Sequence, residues 1–396
     1  MSTIKVGILG CGFIGTVHAF ALQALVAGGL VDAEVVAFGD SDPVKARGLA
    51  ELHGTGAAVH VDDVRGLVSA SDAVWVCTPT SNHLELVARV AAAGKAIYCE
   101  KPLAPDLPTA EALVAAAQRA GIPHQVGLVL RSAPGVTATA RALGVESPSR
   151  FTVPEAPLEP VERVGESWEA GGRDLWEVAT EGGQARVMAA VLRDDQYFPT
   201  QGIYGSTWRS DVDISGGGTL IEHSIHDLDL LTWLLGPAET VSARTGNFAG
   251  HPGIEDLASV TISHAGGAVS TLVSVWHGML TRPSTRRLEV FCERAHLVLE
   301  DEHVGPLRVE LDTGSEDVGL LAEARAVLER LGTVEELRVP LLSYAMADGS
   351  FLRSVAEGSK PEPGFEVGLQ AHRVADAAYR SAAMGGVPVS VGQRDF

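Results

Sequence analysis

Lys101, Glu222 and His226 are the side chains whose types and settings point to acid–base chemistry. Lys101 follows the short apolar run Ala96–Cys99, in the segment Cys99-Glu100-Lys101-Pro102. Pro102 fixes its own φ and restricts the preceding residue to extended backbone, which holds the amine in one place. Without such a context a lone lysine is a solvated surface group. Glu222 and His226 are four residues apart and Asp229 lies three further on, so on a continuous helix Thr219–Leu235 they share a face. A histidine between two carboxylates has its tautomer fixed and its cation stabilised, and exchanges a proton with an alcohol near neutral pH. The plain alternative is a helix with a salt-bridged surface face. Gly216–Gly218 before it, and Leu228, Leu230, Leu231, Trp233 and Leu234 within it, favour a helix anchored at its far end with its polar start facing a cleft. A metal on Glu222, His223 and His226 fits poorly, because on an ideal helix His223 points roughly 100° away from Glu222. No metal is expected.

The second chemical signal is Gly10-Cys11-Gly12-Phe13-Ile14-Gly15, a GxGxxG pattern. With 44 glycines in the chain the pattern alone says little; its place between a strand and a helix gives it meaning. The first glycine allows a tight turn, the second admits a pyrophosphate to the backbone, and the third lets helix and strand pack closely. The helix start then offers free N–H groups and a positive dipole end. Asp40 ends the next strand, where a carboxylate bonds ribose hydroxyls and repels a 2′-phosphate. This favours NAD. The spacing exceeds the usual distance of about 20 residues, and Lys45 and Arg47 are close by, so NADP stays open.

These residues need a scaffold. Ile4–Leu9, Glu34–Phe38, Ala73–Cys77, Ala96–Cys99 and His124–Leu130 read as strands, and Ile14–Ala27, Val44–Leu52, His83–Ala93 and Thr109–Ala120 as helices between them. Continuously apolar strands alternating with helices imply a parallel sheet covered on both faces. Its ligand crevice lies beyond the C-terminal strand ends, where Lys101 and Thr78-Pro79-Thr80-Ser81-Asn82-His83 both fall. His83 is either a cofactor-pocket residue or a helix-start residue without chemistry. Residues 151–183 are rich in Glu, Pro and Gly, and read as a surface excursion or mobile loop, or equally as a short irregular helix. Further on, Arg186–Leu192, Ala258–Ser263, Ala268–Val275, Arg287–Cys292 and His296–Glu300 are strands at hairpin-like spacing, suggesting a mainly antiparallel sheet. A helix near Phe365–Met384 and a short strand Pro388–Val391 end the pattern.

GCGFIG, CTPTSNH and CEKP together resemble the Gfo/Idh/MocA oxidoreductases, relatives of glucose–fructose oxidoreductase and inositol dehydrogenase. Gly216–Asp229 is similar to that family's GGG-x-L-x-D-x-G-x-H-x-x-D segment, with Glu222 in place of Asp and Ser224 in place of Gly. The resemblance covers most of the chain, excepting about 132–183. It implies an α/β protein with a Rossmann domain (1–130) and a C-terminal α/β domain (131–396) built on a large, mostly antiparallel open sheet that covers the nicotinamide and commonly forms oligomer contacts. It also implies a cofactor pocket of Gly10, Gly12, Phe13, Ile14, Gly15, Asp40, Thr78, Pro79, Asn82, His83, Glu100 and Lys101, with Arg131, Trp208 and Arg209 as further members. Arg193-Asp194-Asp195-Gln196-Tyr197, with Gln201 and Tyr204, suits a carbohydrate site or an ordinary surface loop. Tyr197, Tyr204 and Asp229 are the substrate candidates; His277 reads as a packed core histidine.

The net charge of −20 argues against nucleic acid or an anionic membrane as partner. No apolar run reaches the roughly 18 residues of a membrane span. The first residues show no basic leader and no cleavage site, so no signal peptide is expected. Cys11, Cys77, Cys99 and Cys292 form no CxxC pair and read as reduced cytoplasmic thiols. The expected activity is NAD-dependent interconversion of a secondary alcohol and a ketone on a sugar, cyclitol or related polyol. His226 moves the proton, Lys101 bonds the reacting oxygen, and Glu222 orients the substrate or His226. The competing readings are a glycoside hydrolase with transient redox at bound NAD, and a non-enzymatic NAD sensor. An open antiparallel sheet needs a partner, so a homodimer or homotetramer is expected.

Overall fold

The computed structural model describes residues 3–54, 58–60, 63–146, 169–170, 173–174, 186–303, 305–312, 314–318 and 338–392. The first sheet contains β1 (Ile4–Leu9), β2 (Ala33–Asp40), β3 (Ala58–His60), β4 (Ala73–Val76), β5 (Ala96–Cys99) and β6 (His124–Val126) in the order β3-β2-β1-β4-β5-β6. Every pairing is parallel. The helices α1 (Phe13–Ala27), α2 (Pro43–Leu52), α3 (Val64–Ala70), α4 (His83–Ala92) and α5 (Leu107–Ala120) connect them. β4 and β5 are buried at every position, as central strands covered on both faces must be. Asp42 and Asp106 cap α2 and α5 by accepting from Val44 and Thr109 N–H, and Gly121 ends α5 in the left-handed region. Strand order reverses between β1 and β4, and a ligand crevice opens at such a switch point.

β6 is shorter than the predicted His124–Leu130. After Val126 the chain turns through Val129–Ser132 and enters α6 (Pro134–Ala142). Most of the loop predicted at 151–183 lies outside the described residues; within it β7 (Glu169–Ala170) pairs with β8 (Arg173–Asp174).

The second sheet adds β9 (Val187–Tyr197), β10 (Ala238–Gly246), β11 (Leu257–His264), β12 (Val269–His277), β13 (Thr285–Cys292), β14 (Ala295–Leu299), β15 (Leu307–Leu311), β16 (Gly314–Val318) and β17 (Val389–Ser390). Their order is β16-β15-β14-β13-β9-β12-β11-β10-β17, antiparallel except for β9 against β12. α7 (Val212–Ser215), α8 (Thr219–Glu222) and α9 (Ile225–Leu235) follow β9. The predicted single helix Thr219–Leu235 is thus interrupted at His223 and Ser224. α10 (Arg338–Glu357) and α11 (Phe365–Ala383) precede β17.

One face of this sheet is core. Leu192, Val260, Leu272, Leu288 and Val290 pack there with Leu228, Leu231 and Leu234 of α9 and Val374 and Ala378 of α11. The opposite face exposes Val191, Val269 and Phe291. α10, which the sequence reading did not bring out, leaves this half and packs on α1. Its Ala347, Phe351 and Leu352 join the first sheet's core, and its Leu341, Leu342 and Ala345 pack on Ala21 and Leu25.

Candidate active site

The three glycines of the turn after β1 do different work. Gly10 has φ of 95°, and a Cβ on it would lie 2.5 Å from the Cys77 carbonyl. A Cβ on Gly15 would lie 1.9 Å from Gly10 O. Packing within the protein explains both. A Cβ on Gly12 would meet nothing within 4 Å, at an N-cap with no side-chain hydrogen bond. That open space over free helix N–H groups is the cradle a pyrophosphate needs, so these residues fit a dinucleotide. Asp40 stands at the end of β2, with Oδ2 accepting Cys11 N–H at 2.6 Å and Oδ1 accepting Asp42 N–H at 2.8 Å. Burial, with Asp40 adding to it, pushes the Cys11 thiol up to about 12, so it is unreactive. Phe13, exposed at the start of α1, meets Tyr204 edge-on at 5.5 Å, and Tyr204 lies 5.4 Å from Tyr197. Tyr204 therefore sits beside the dinucleotide turn, with Tyr197 one ring further away.

On the other side of the switch point, Thr78 Oγ1 is buried without a partner and suits a polar group of a bound cofactor. Pro79 and Asn82 bracket the turn Thr80–Asn82 that leads into α4. His83 is buried, its ring nitrogens 3.0 Å from Pro102 O and 2.9 Å from Thr78 O. It braces the two strand-end loops at Thr78 and Pro102. Glu100 is buried as well. Its Oε2 accepts Lys101 N–H at 3.2 Å, and its Oε1 lies 3.1 Å from His18 Nε2. Asp348 of α10 takes the other ring nitrogen of His18 at 2.9 Å and also accepts Trp75 Nε1–H at 2.9 Å. Lys101 Nζ donates to the backbone carbonyl of Glu222 at 2.7 Å, across the cleft. Burial, then the nearby Arg209, lowers the Lys101 pKa.

The expected pairing of His226 with two carboxylates is not what forms. Because the helix breaks at His223, Glu222 turns toward the first sheet. Its Oε1 accepts Thr80 Oγ1–H at 2.8 Å and its Oε2 accepts Arg209 Nε–H at 3.1 Å. Asp229 is held by Arg131 through two bonds of 2.7 Å, and Trp233 stacks on that guanidinium at 4.9 Å. Arg131 and Asp229 thus bond each other and fasten α9 to the turn after β6. Arg209 also lies over Trp208, at 4.7 Å. His226 Nδ1 is buried without a partner. Burial, then Lys101 and Arg286, push the His226 pKa well below its usual value. The surroundings favour a neutral imidazole over the stabilised cation expected from two flanking carboxylates.

Sequence reasoning missed the guanidinium beneath this helix. Arg286 of β13 bonds Asp227 (2.8 Å), Asp194 (3.1 Å) and Glu302 (3.1 Å). Three carboxylates around one cation carry excess negative charge. Burial, though opposed by Arg286, raises Asp227 to about 7. The signal was present in the strand alternation, since Arg286 shares parity with the buried Leu288 and Val290, and Asp194 with Ala190 and Leu192. Asp195 faces the other way, held by Arg282 and Thr285 with His277 3.5 Å off. Among the described residues no group of three His, Cys, Asp or Glu could hold a metal ion.

Comparison with known proteins agrees with this architecture. Residues 4–128 match a family model described as an oxidoreductase family with an NAD-binding Rossmann fold, and residues 187–391 match its C-terminal alpha/beta domain. The inositol 2-dehydrogenase of Rhizobium meliloti (strain 1021) is 27% identical over 386 residues, covering 96% of this chain and 97% of that one. Levoglucosan dehydrogenase in complex with NADH and levoglucosan superposes with a TM-score of 0.77 at 22% identity, over 99% of this chain and 100% of that one. An oxidoreductase domain protein from Kribbella flavida gives a TM-score of 0.79 at 22% identity over the same shares. With the glycine cradle, the strand-end lysine and both domain matches in place, the chain belongs to the Gfo/Idh/MocA oxidoreductase family and is an NAD-dependent dehydrogenase or reductase.

Proposed function

We propose that this enzyme interconverts a secondary alcohol and a ketone on a sugar, cyclitol or related polyol, with Lys101 and His226 as its polar catalytic pair. The observation that carries the reading is a bond between the two halves beside an unpartnered histidine. The Lys101 ammonium reaches Glu222 O, and His226, four residues on, is neutral with an unpartnered Nδ1. NAD, when bound, supplies the hydride acceptor or donor. In oxidation His226 takes the hydroxyl proton, and in reduction its cation returns it. Lys101 donates a hydrogen bond to the reacting oxygen and stabilises the negative charge that develops there. Glu222 fixes the geometry by holding Thr80 and Arg209 while its carbonyl receives Lys101.

The test is a panel of sugars, inositols and amino-cyclitols followed by NADH absorbance, with NADP alongside. Replacing Lys101 or His226 by Ala lowers turnover at least about a hundredfold while NAD binding persists. Turnover near wild type in both variants overturns the pairing.

We place the cofactor domain at 1–130 and the substrate domain at 131–396, with α10 returning to brace the first. A second copy of the chain covers the open sheet face around Val191, Val269 and Phe291, giving a homodimer or homotetramer in the cytoplasm. Light scattering that shows a monomer at micromolar concentration contradicts this.

A further inference from the structure

We propose that His223 is a specificity-determining residue whose imidazole, anchored by Asp194, accepts a hydrogen bond from a second hydroxyl of the substrate, next to the carbon that is oxidised. The proposal rests on the polyol reading above.

The anchor is built by the sheet. Asp194 lies on β9 with Arg286 opposite on β13 and Ser274 opposite on β12, all on the covered face. Arg286 Nη2 donates to Asp194 Oδ2 at 3.1 Å. The helix break supplies the rest. His223 and Ser224 stand between α8 and α9, and both turn to this carboxylate. Ser224 Oγ–H donates to Oδ2 at 2.9 Å, and His223 Nε2 lies 3.0 Å from Oδ1. Asp194 has no exposed surface, so its orientation is fixed.

That geometry selects a tautomer. A ring nitrogen facing a carboxylate carries the proton, so Nε2–H donates to Asp194. Arg286 Nη2 carries two protons and gives one to Asp194 Oδ2 at 3.1 Å; with Nε2 protonated, its approach of 3.2 Å to that nitrogen is a contact and not a hydrogen bond. Nδ1 is then a lone-pair acceptor, and no described residue bonds it; the His223 side chain keeps 16% of its surface open. Lys101 Nζ bonds the carbonyl of Glu222, the residue just before His223, which sets His223 on the lysine side of the cleft. Burial, then Arg286 and Lys101, lower the pKa of the ring well below its usual value. A neutral acceptor does not attract a carboxylate or phosphate; it takes an O–H. A site built to bond a hydroxyl rejects an analogue lacking it, because its own polar group is then left unpaired.

The experiment measures kcat/KM for NADH formation from myo-inositol, D-glucose and their monodeoxy analogues. In the wild type, removal of one hydroxyl adjacent to the oxidised carbon costs about tenfold or more. His223→Leu loses a similar factor on the parent polyol and no longer distinguishes it from that analogue. His223→Gln is read the same way should the leucine variant not fold. Unchanged discrimination in these variants overturns the proposal. Nitrogen-15 NMR of histidine-labelled enzyme reads the tautomer without substrate: Nε2–H is expected at neutral pH, and Asp194→Asn shifts the proton toward Nδ1. A proton found on Nδ1 in the wild type also overturns it. If no polyol yields NADH, the proposed function fails, and the tautomer alone then decides whether the Asp194–His223 pair stands.

Discussion

His18 and His226 are both buried, one under each half of the cleft, and they end in opposite charge states. Burial by itself drives either imidazole toward neutrality. At His18 the carboxylates of Asp348 and Glu100 outweigh it and raise the pKa to about 10. At His226 the nearby charges are Lys101 and Arg286, which reinforce burial. The sign of the neighbours, more than depth, decides what a histidine does here. One acts as a fixed cation that clamps α1, α10 and the lysine loop together; the other is held toward its neutral form.

Removing the clamp is the most damaging way to test that contrast. His18→Leu leaves two buried carboxylates facing each other without a cation, and costs about 3–5 kcal/mol in urea unfolding. A loss under about 1 kcal/mol would mean that the pair is already protonated. The clamp also has a pH signature. His18 titrates near 6.5 when unfolded and about 10 when folded, so its contribution is complete below pH 6.5 and fades as pH climbs toward 10. Thermal unfolding of the wild type shows this alkaline loss, and His18→Asn flattens it. On the other half, Lys101→Met removes a cation beside His226, so the His226 pKa measured by NMR rises toward 6.5. No movement would place the two groups apart. The smallest effect belongs to charges that water already screens. Arg89→Ala breaks an exposed pair with Glu85 and changes stability by no more than about 0.5 kcal/mol.

Much of the first half was legible because its information is local. The glycine turn, the strand ends at Thr78 and Lys101, and the helix stops at Gly94 and Gly121 follow from residues a few positions apart. The second half resisted because its decisive contacts span longer separations. Asp194 meets Arg286, Glu222 meets Thr80, and His18 meets Asp348. The helix drawn through 219–235 failed for the same reason. The sheet offers Asp194 to His223 and Ser224, and those bonds compete with a continuous helix at these two positions.

The amino-acid order alone determined the nucleotide turn, the alternation of strands and helices, and the presence of an amine after β5 and an imidazole after the triple glycine. Only the tertiary structure decided which carboxylates those groups would meet. Charge partners are chosen by which strands lie side by side and where a helix breaks, and a buried group's pKa depends on distances of a few ångströms that sequence spacing does not specify.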